Sequence, residues 1–128
     1  MRRLEYGQKS IIEIDFSDLK EGAMIKLLED LERLLQTEIR PQLILSCYNE
    51  KNFATPKFMR RVEKVTSLNI HLIDKMAIVG LSKTQMIILK GYNFLFKRSF
   101  RSFNNRAEAI EYLLDESTSD KTAPGLLK

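Results

Sequence analysis

From residue 9 onward, short apolar runs alternate with stretches of helical periodicity, and this alternation restricts the fold more than any other feature of the chain. Residues 9–16 place Ile12, Ile14 and Phe16 on one side and Glu13 and Asp15 on the other, the period of a half-buried strand with a solvated acidic face. Residues 4–6 supply a short partner strand across a Gly7-Gln8 turn. Leu43-Ile44-Leu45-Ser46-Cys47, Met76-Ala77-Ile78-Val79 and residues 99–103 follow as further strands. Between them lie segments long enough for helical crossovers, which parallel neighbours in a sheet require. The expected fold is therefore α/β: a central, mixed, mostly parallel sheet of four to five strands flanked by four helices. It forms one domain over residues 1–116, with a flexible tail at 117–128 that is small, polar and punctuated by Pro124 and Gly125.

Helix boundaries carry their own signals. Asp18 with Glu21, and Asn105 with Glu108, have the spacing of a capping box. Thr55-Pro56 reads as an N-cap followed by proline at the first helical position. In the first helix Met24, Leu27, Leu28, Leu31, Leu34 and Leu35 form a stripe that faces a core. The third helix, from about residue 83 to 97, is different. Lys83, Lys90, Asn93 and Lys97 occupy a narrow polar strip, and apolar side chains fill the rest of its circumference. That arc is roughly twice as wide as one sheet face can cover. The extra width calls for cover by another helix of the domain, a partner, a lipid or a second copy of the chain, and some of Met86, Ile87, Phe94, Leu95 and Phe96 are expected to stay exposed in an isolated monomer.

Charge is unevenly distributed. Residues 13–38 hold eight acids against three bases, whereas residues 51–106 hold twelve bases against Glu63 and Asp74. On the second helix Lys57, Arg60, Arg61 and Lys64 recur at i, i+3, i+4 and i+7, one basic stripe. With Lys83, Lys90, Lys97 and Arg98 this makes Arg60, Arg61 and Lys64 candidate contacts for an anion or an anionic membrane. Nucleic-acid binding fits the basic balance, but no helix-turn-helix, RNP or zinc-finger pattern accompanies it.

Catalytic and metal chemistry find little support. Gly80-Leu81-Ser82-Lys83-Thr84 has a Lys-Thr after a strand, but Ala77 and Ser82 stand where a phosphate-binding loop needs glycine. Ser82 reads as an N-cap, and its helix end as at most a weak anion site. Cys47 and His71 are the only thiol and imidazole, and a catalytic pair would need them in contact with a third, orienting group. Two such ligands do not make a structural zinc site. A single cysteine, no visible signal peptide and no apolar run of roughly 18 residues lead to the expectation of a cytoplasmic chain without a cofactor, peripheral to a membrane if it meets one.

The order of elements and several short runs resemble a known family. Met76-Ala77-Ile78-Val79-Gly80-Leu81-Ser82, the helix after it, Phe100-Arg101-Ser102-Phe103, Arg106-Ala107-Glu108-Ala109 and Tyr112-Leu113-Leu114 are similar to SpoIIAA-like proteins of the STAS group, whose fold is similar to the Sec14 lipid-binding domain. The resemblance covers residues 4–116. It implies a non-enzymatic module that binds a protein or a small anionic or lipid ligand. The regulatory branch of that group phosphorylates a serine in Asp-Ser-Ser-Gly at the start of the second helix. Here that place reads Phe53-Ala54-Thr55-Pro56, which leaves Thr55 as a candidate phospho-switch without the aspartate and glycine. The expected function is a STAS-like interaction module, with a peripheral membrane or lipid-binding protein as the alternative.

Overall fold

The computed structural model of the chain describes residues 1–117. Five strands form one sheet in the order β1 (Arg2–Tyr6), β2 (Lys9–Asp15), β3 (Gln42–Cys47), β4 (Ile73–Val79) and β5 (Arg101–Phe103). β1 runs antiparallel to β2, and every other pair is parallel. The helices are α1 (Glu21–Gln36), α2 (Pro56–Asn69), α3 (Lys83–Phe96) and α4 (Arg106–Leu114), with one 3-10 turn at Ile70–Leu72. The chain is thus α/β with a mixed, mostly parallel sheet. The expected tail lies outside the described residues beyond Ser117.

From β2 to β5 the chain steps across the sheet in one direction without turning back. Right-handed crossovers that always step the same way place their helices on the same face. α1 and α2 accordingly pack with Ile12, Ile14 and Ile44, and Tyr92 of α3 packs with Ile78 and Phe100. α4 follows the last strand and covers the other face, where Ala109, Tyr112 and Leu113 meet Ile11, Leu45, Ala77 and Val79. A sheet with no reversal of strand order has no crevice at a switch point. Space for a ligand must come from between the helices instead.

Two expectations about residues at strand and helix ends are corrected. Asp18 does not cap α1. It adopts a left-handed conformation (φ 65°) and accepts a 2.8 Å bond from the Asn49 side chain, while Lys20 occupies the cap position without a side-chain bond. The chain turns tightly after β2 (Leu19 N to Phe16 O, 3.0 Å), and Glu21 turns away to meet Thr55 across the helix pair. Asn105 does cap α4, accepting from Glu108 N at 2.9 Å, but the return bond runs between the two side chains.

Glu13 is also not solvated. The antiparallel register puts Arg2 opposite it, and α4 brings Arg106 over it, so its carboxylate is buried and accepts from both guanidinium groups at 2.5 and 2.8 Å. Asp15, two residues on, is exposed as expected. On the same face Lys75 is buried. Its ammonium donates to Tyr112 O (2.8 Å) and Asp115 O and lies 4.8 Å from the Tyr112 ring, closing the carbonyl end of α4 where a cation is favoured.

Candidate functional site

α2 and α3 lie side by side on the sheet face, and their facing sides enclose an apolar cleft. α2 starts where Thr55 Oγ1 accepts from Phe58 N (3.1 Å), with Pro56 pre-set at the first position. The same hydroxyl donates to Glu21 Oε2 at 2.5 Å. Phe58 and Val65 then point at the sheet, and Met59 and Val62 are left half-buried along the edge. α3 starts in a full capping box between Ser82 and Gln85, which engages the backbone amides of both residues. Gln85 Nε2 also donates to Asn49 O and Asn52 O (3.0 and 2.9 Å), fastening α3 to the loop before α2.

The other end of α3 is fastened differently. Lys97 ends the helix in a left-handed conformation (φ 55°), and Arg98 turns back onto Glu63 at 3.0 Å. The Tyr92 hydroxyl donates to the same carboxylate at 2.6 Å, and Asn93 bonds Phe100 O at 2.9 Å. Tyr92 is the only buried residue of α3. The helix is therefore held at its ends by polar contacts and spans an opening in between.

The cleft under it encloses about 80 Å³, and the space widens to about 610 Å³ when the open solvent at its mouth is counted. Met76, Ile78 and Phe100 form its floor, Phe58, Met59 and Val62 one wall, and Leu81, Ile88 and Leu89 the other. The enclosed part takes a small apolar group, and anything larger would project through the mouth. Three methionines (Met24, Met59 and Met76) line it, side chains that adapt their shape to irregular apolar occupants. Three of its polar side chains are already committed: Asn52 donates to Phe16 O and Leu19 O, Gln85 holds the loop, and Tyr92 holds Glu63. Burial pushes the Tyr48 phenol well above its ordinary range. Burial and the Glu63 bond do the same for Tyr92, so neither phenol offers a base near neutrality. The cleft can recognise shape and apolar surface.

The structure separates Cys47 from His71. Cys47 ends β3 whereas His71 precedes β4, and parallel strands put those positions at opposite ends of the sheet, roughly 20 Å apart at 3.3 Å per residue. Cys47 instead lies 3.9 Å from Glu13, and burial, reinforced by that carboxylate, raises its thiol to about 11. Among the described residues no group of three or more His, Cys, Asp or Glu side chains is placed to hold a metal ion.

The basic candidates divide into two sets. Arg61 is paired with Glu29 of α1 and Arg98 with Glu63, so neither is free to meet an anion without breaking a bond inside the domain. Arg60, Lys64, Lys83, Lys90 and Lys97 are exposed. Of the apolar candidates, Ile87, Phe94 and Leu95 are exposed, Phe96 is partly covered by its contact with Tyr92, and Met86 is half-buried. Sequence reasoning overlooked Glu63. It is the single acid on an otherwise basic helix, and that isolation was the available signal.

At Thr55 the hydroxyl already serves two partners, and a phosphoryl group there would displace the cap and confront the Glu21 carboxylate. Thr55→Ala is expected to cost about 1 kcal/mol and Thr55→Ser to be nearly neutral, read from urea denaturation midpoints. Equal stability of the alanine variant and the parent would remove Thr55 from the cap. No helix among the described residues is long and apolar enough to cross a membrane. No protein-family model, curated protein or solved structure matches the chain, so the site rests on its own geometry.

Proposed function

We propose that this chain is a non-enzymatic, STAS-like binding module that takes an apolar ligand, or an apolar side chain of a partner protein, into the cleft between α2 and α3. One observation carries this reading: an apolar cleft that encloses about 80 Å³ and opens to solvent, under a helix that buries only Tyr92. A closed core would leave no such space, because protein interiors pack as densely as organic crystals. The Asn52, Gln85 and Tyr92 side chains that line the cleft are bonded within the domain, so an apolar occupant leaves none of these three without a partner. The resemblance to the STAS group is compatible with the strand order and remains part of the proposal.

The test is binding of a neutral apolar fluorophore, N-phenyl-1-naphthylamine, followed in parallel by methyl NMR of the methionines. Saturable binding that shifts Met59 and Met76 but not Met1 is expected. Val62→Trp, which fills the cleft from the α2 wall, should weaken it about tenfold or more while the melting temperature stays within a few degrees. Binding of equal strength by Val62→Trp, or shifts spread over every methionine, would place the probe elsewhere and defeat the reading.

A further inference from the structure

Outside the cleft, α3 presents a surface that none of the described residues covers. Ile87 and Leu95 are each 70% exposed and Phe94 is 88% exposed. At about 100° per residue, Lys83, Ile87, Lys90 and Phe94 all lie within roughly 40° of the direction opposite Tyr92, the residue that faces the sheet. On α2, Arg60 and Lys64 lie within about 60° of the direction opposite Phe58. Both helices cover the same face of the sheet, so these two sets of side chains point to the same side of the molecule.

We propose that this surface, the outer ridge of α3 with the adjoining cations of α2, docks the domain on an anionic lipid bilayer. The site is separate from the cleft and independent of what the cleft binds.

Charge chooses the occupant. Arg60, Lys64, Lys83, Lys90 and Lys97 are exposed and make no ion pair among the described residues. α3 contains no acid, and the only acid of α2, Glu63, is held by Arg98 and Tyr92. A symmetric pair of copies meeting through α3 would bring two all-cationic sets of Lys83, Lys90 and Lys97 together, a like-charge contact that disfavours self-association. An anionic partner meets no such opposition.

Shape favours a fluid sheet over a folded protein. Ile87 and Phe94 crown a convex ridge with Leu95 exposed on its flank, whereas amphipathic helices of protein partners settle into grooves. The cations of α3 are all lysines, point charges on long apolar stems that let an apolar body sink while the ammonium stays at headgroup level. Fourteen residues of helix extend about 21 Å, too short to cross a bilayer and suited to lie along its surface. α1 covers the same face at the far edge, beyond α2, and its acids are engaged: Glu29 with Arg61, and Asp30 with Lys26 and Arg33. The domain would dock with its α3 edge lowest and α1 furthest from the lipid.

The full chain is tested by co-sedimentation with vesicles of phosphatidylcholine alone and of phosphatidylcholine mixed with phosphatidylserine, at low and high salt. Binding to the mixed vesicles at low salt is expected, with loss in high salt and little binding to phosphatidylcholine. The triple variant Arg60→Glu, Lys64→Glu, Lys90→Glu should bind at least about 100-fold more weakly with an unchanged circular dichroism spectrum. Phe94→Ser with Leu95→Ser, both at exposed positions, should weaken binding about tenfold or more. Val62→Trp should bind vesicles as the parent does, so failure of the cleft and failure of this surface are told apart. Three results overturn the proposal: no binding to mixed vesicles at low salt, binding indifferent to Phe94 and Leu95, or a self-association in sedimentation velocity that the two serines abolish. A fourth is equally strong binding of an acidic amphipathic peptide that competes with lipid, which would make a protein the occupant.

Discussion

Gly80→Ala is expected to destabilise the domain by roughly 4 kcal/mol or more, or to prevent it from folding. Gly80 follows β4 with φ 87°, a conformation that L side chains rarely adopt, and a Cβ built there would lie 1.9 Å from the Tyr48 carbonyl oxygen. Neither side can yield cheaply. Tyr48 N is bonded to Val79 O at 3.0 Å, and the Tyr48 ring stacks on Phe16 with centroids 4.8 Å apart, so a shift there spreads into the core. Gly91→Ala provides the contrast. A Cβ at that position meets nothing within 4 Å, and the site is an exposed turn of α3. It should gain about 0.5–1 kcal/mol from helix propensity alone. Urea denaturation of the two variants against the parent decides this. A Gly80→Ala variant as stable as the parent would mean that the β3 and β4 ends do not approach as described.

Glu13→Ala should cost about 1–2 kcal/mol, because it removes a buried carboxylate that accepts charge-assisted bonds from two partly exposed guanidinium groups. Burial alone would raise the Glu13 pKa, but the bonds and charges of Arg2 and Arg106 outweigh it and hold the carboxyl below its usual range. The sign of the pH dependence follows. A carboxyl whose pKa is lower when folded than when unfolded contributes its full stabilisation above the unfolded value, about 4.3 for glutamate, and loses it as pH falls through the folded value. Parent and variant should therefore differ most near neutrality and converge on acidification below about pH 4. Melting temperatures measured from neutral pH into the acid range check this. A constant difference across that range would show that the loss at Glu13 is one of shape and not of charge.

Much of the fold was legible because it depends on local patterns. The alternation in residues 9–16, the leucine stripe of α1, and the Thr55-Pro56 start each reflect the period of one element, and one element is what a short window of sequence contains. The width of the apolar arc on α3 was also a local property, and Ile87, Phe94 and Leu95 are exposed as that width required. Asp18 failed as a cap for the opposite reason. Its spacing to Glu21 was right, but Asn49 and Thr55, some thirty residues away, engaged both side chains first.

What the sequence by itself determined was the set of elements, their order, and which helix had more apolar surface than its sheet could cover. Only the tertiary structure decided which charges were free. Lys75 is buried against the end of α4, Arg61, Arg98 and Arg106 are paired, and Arg60, Lys64, Lys83 and Lys90 face one side, though the chain presents all eight as one basic block. The cleft likewise appears only when α2 and α3 lie next to each other, and Glu63 gains its role only when Tyr92 and Arg98 reach it from another helix. The physical reason is the range of the forces. Strand and helix periods are set by backbone geometry over a few residues, whereas the partner of a charge is whatever the fold brings within a few ångströms.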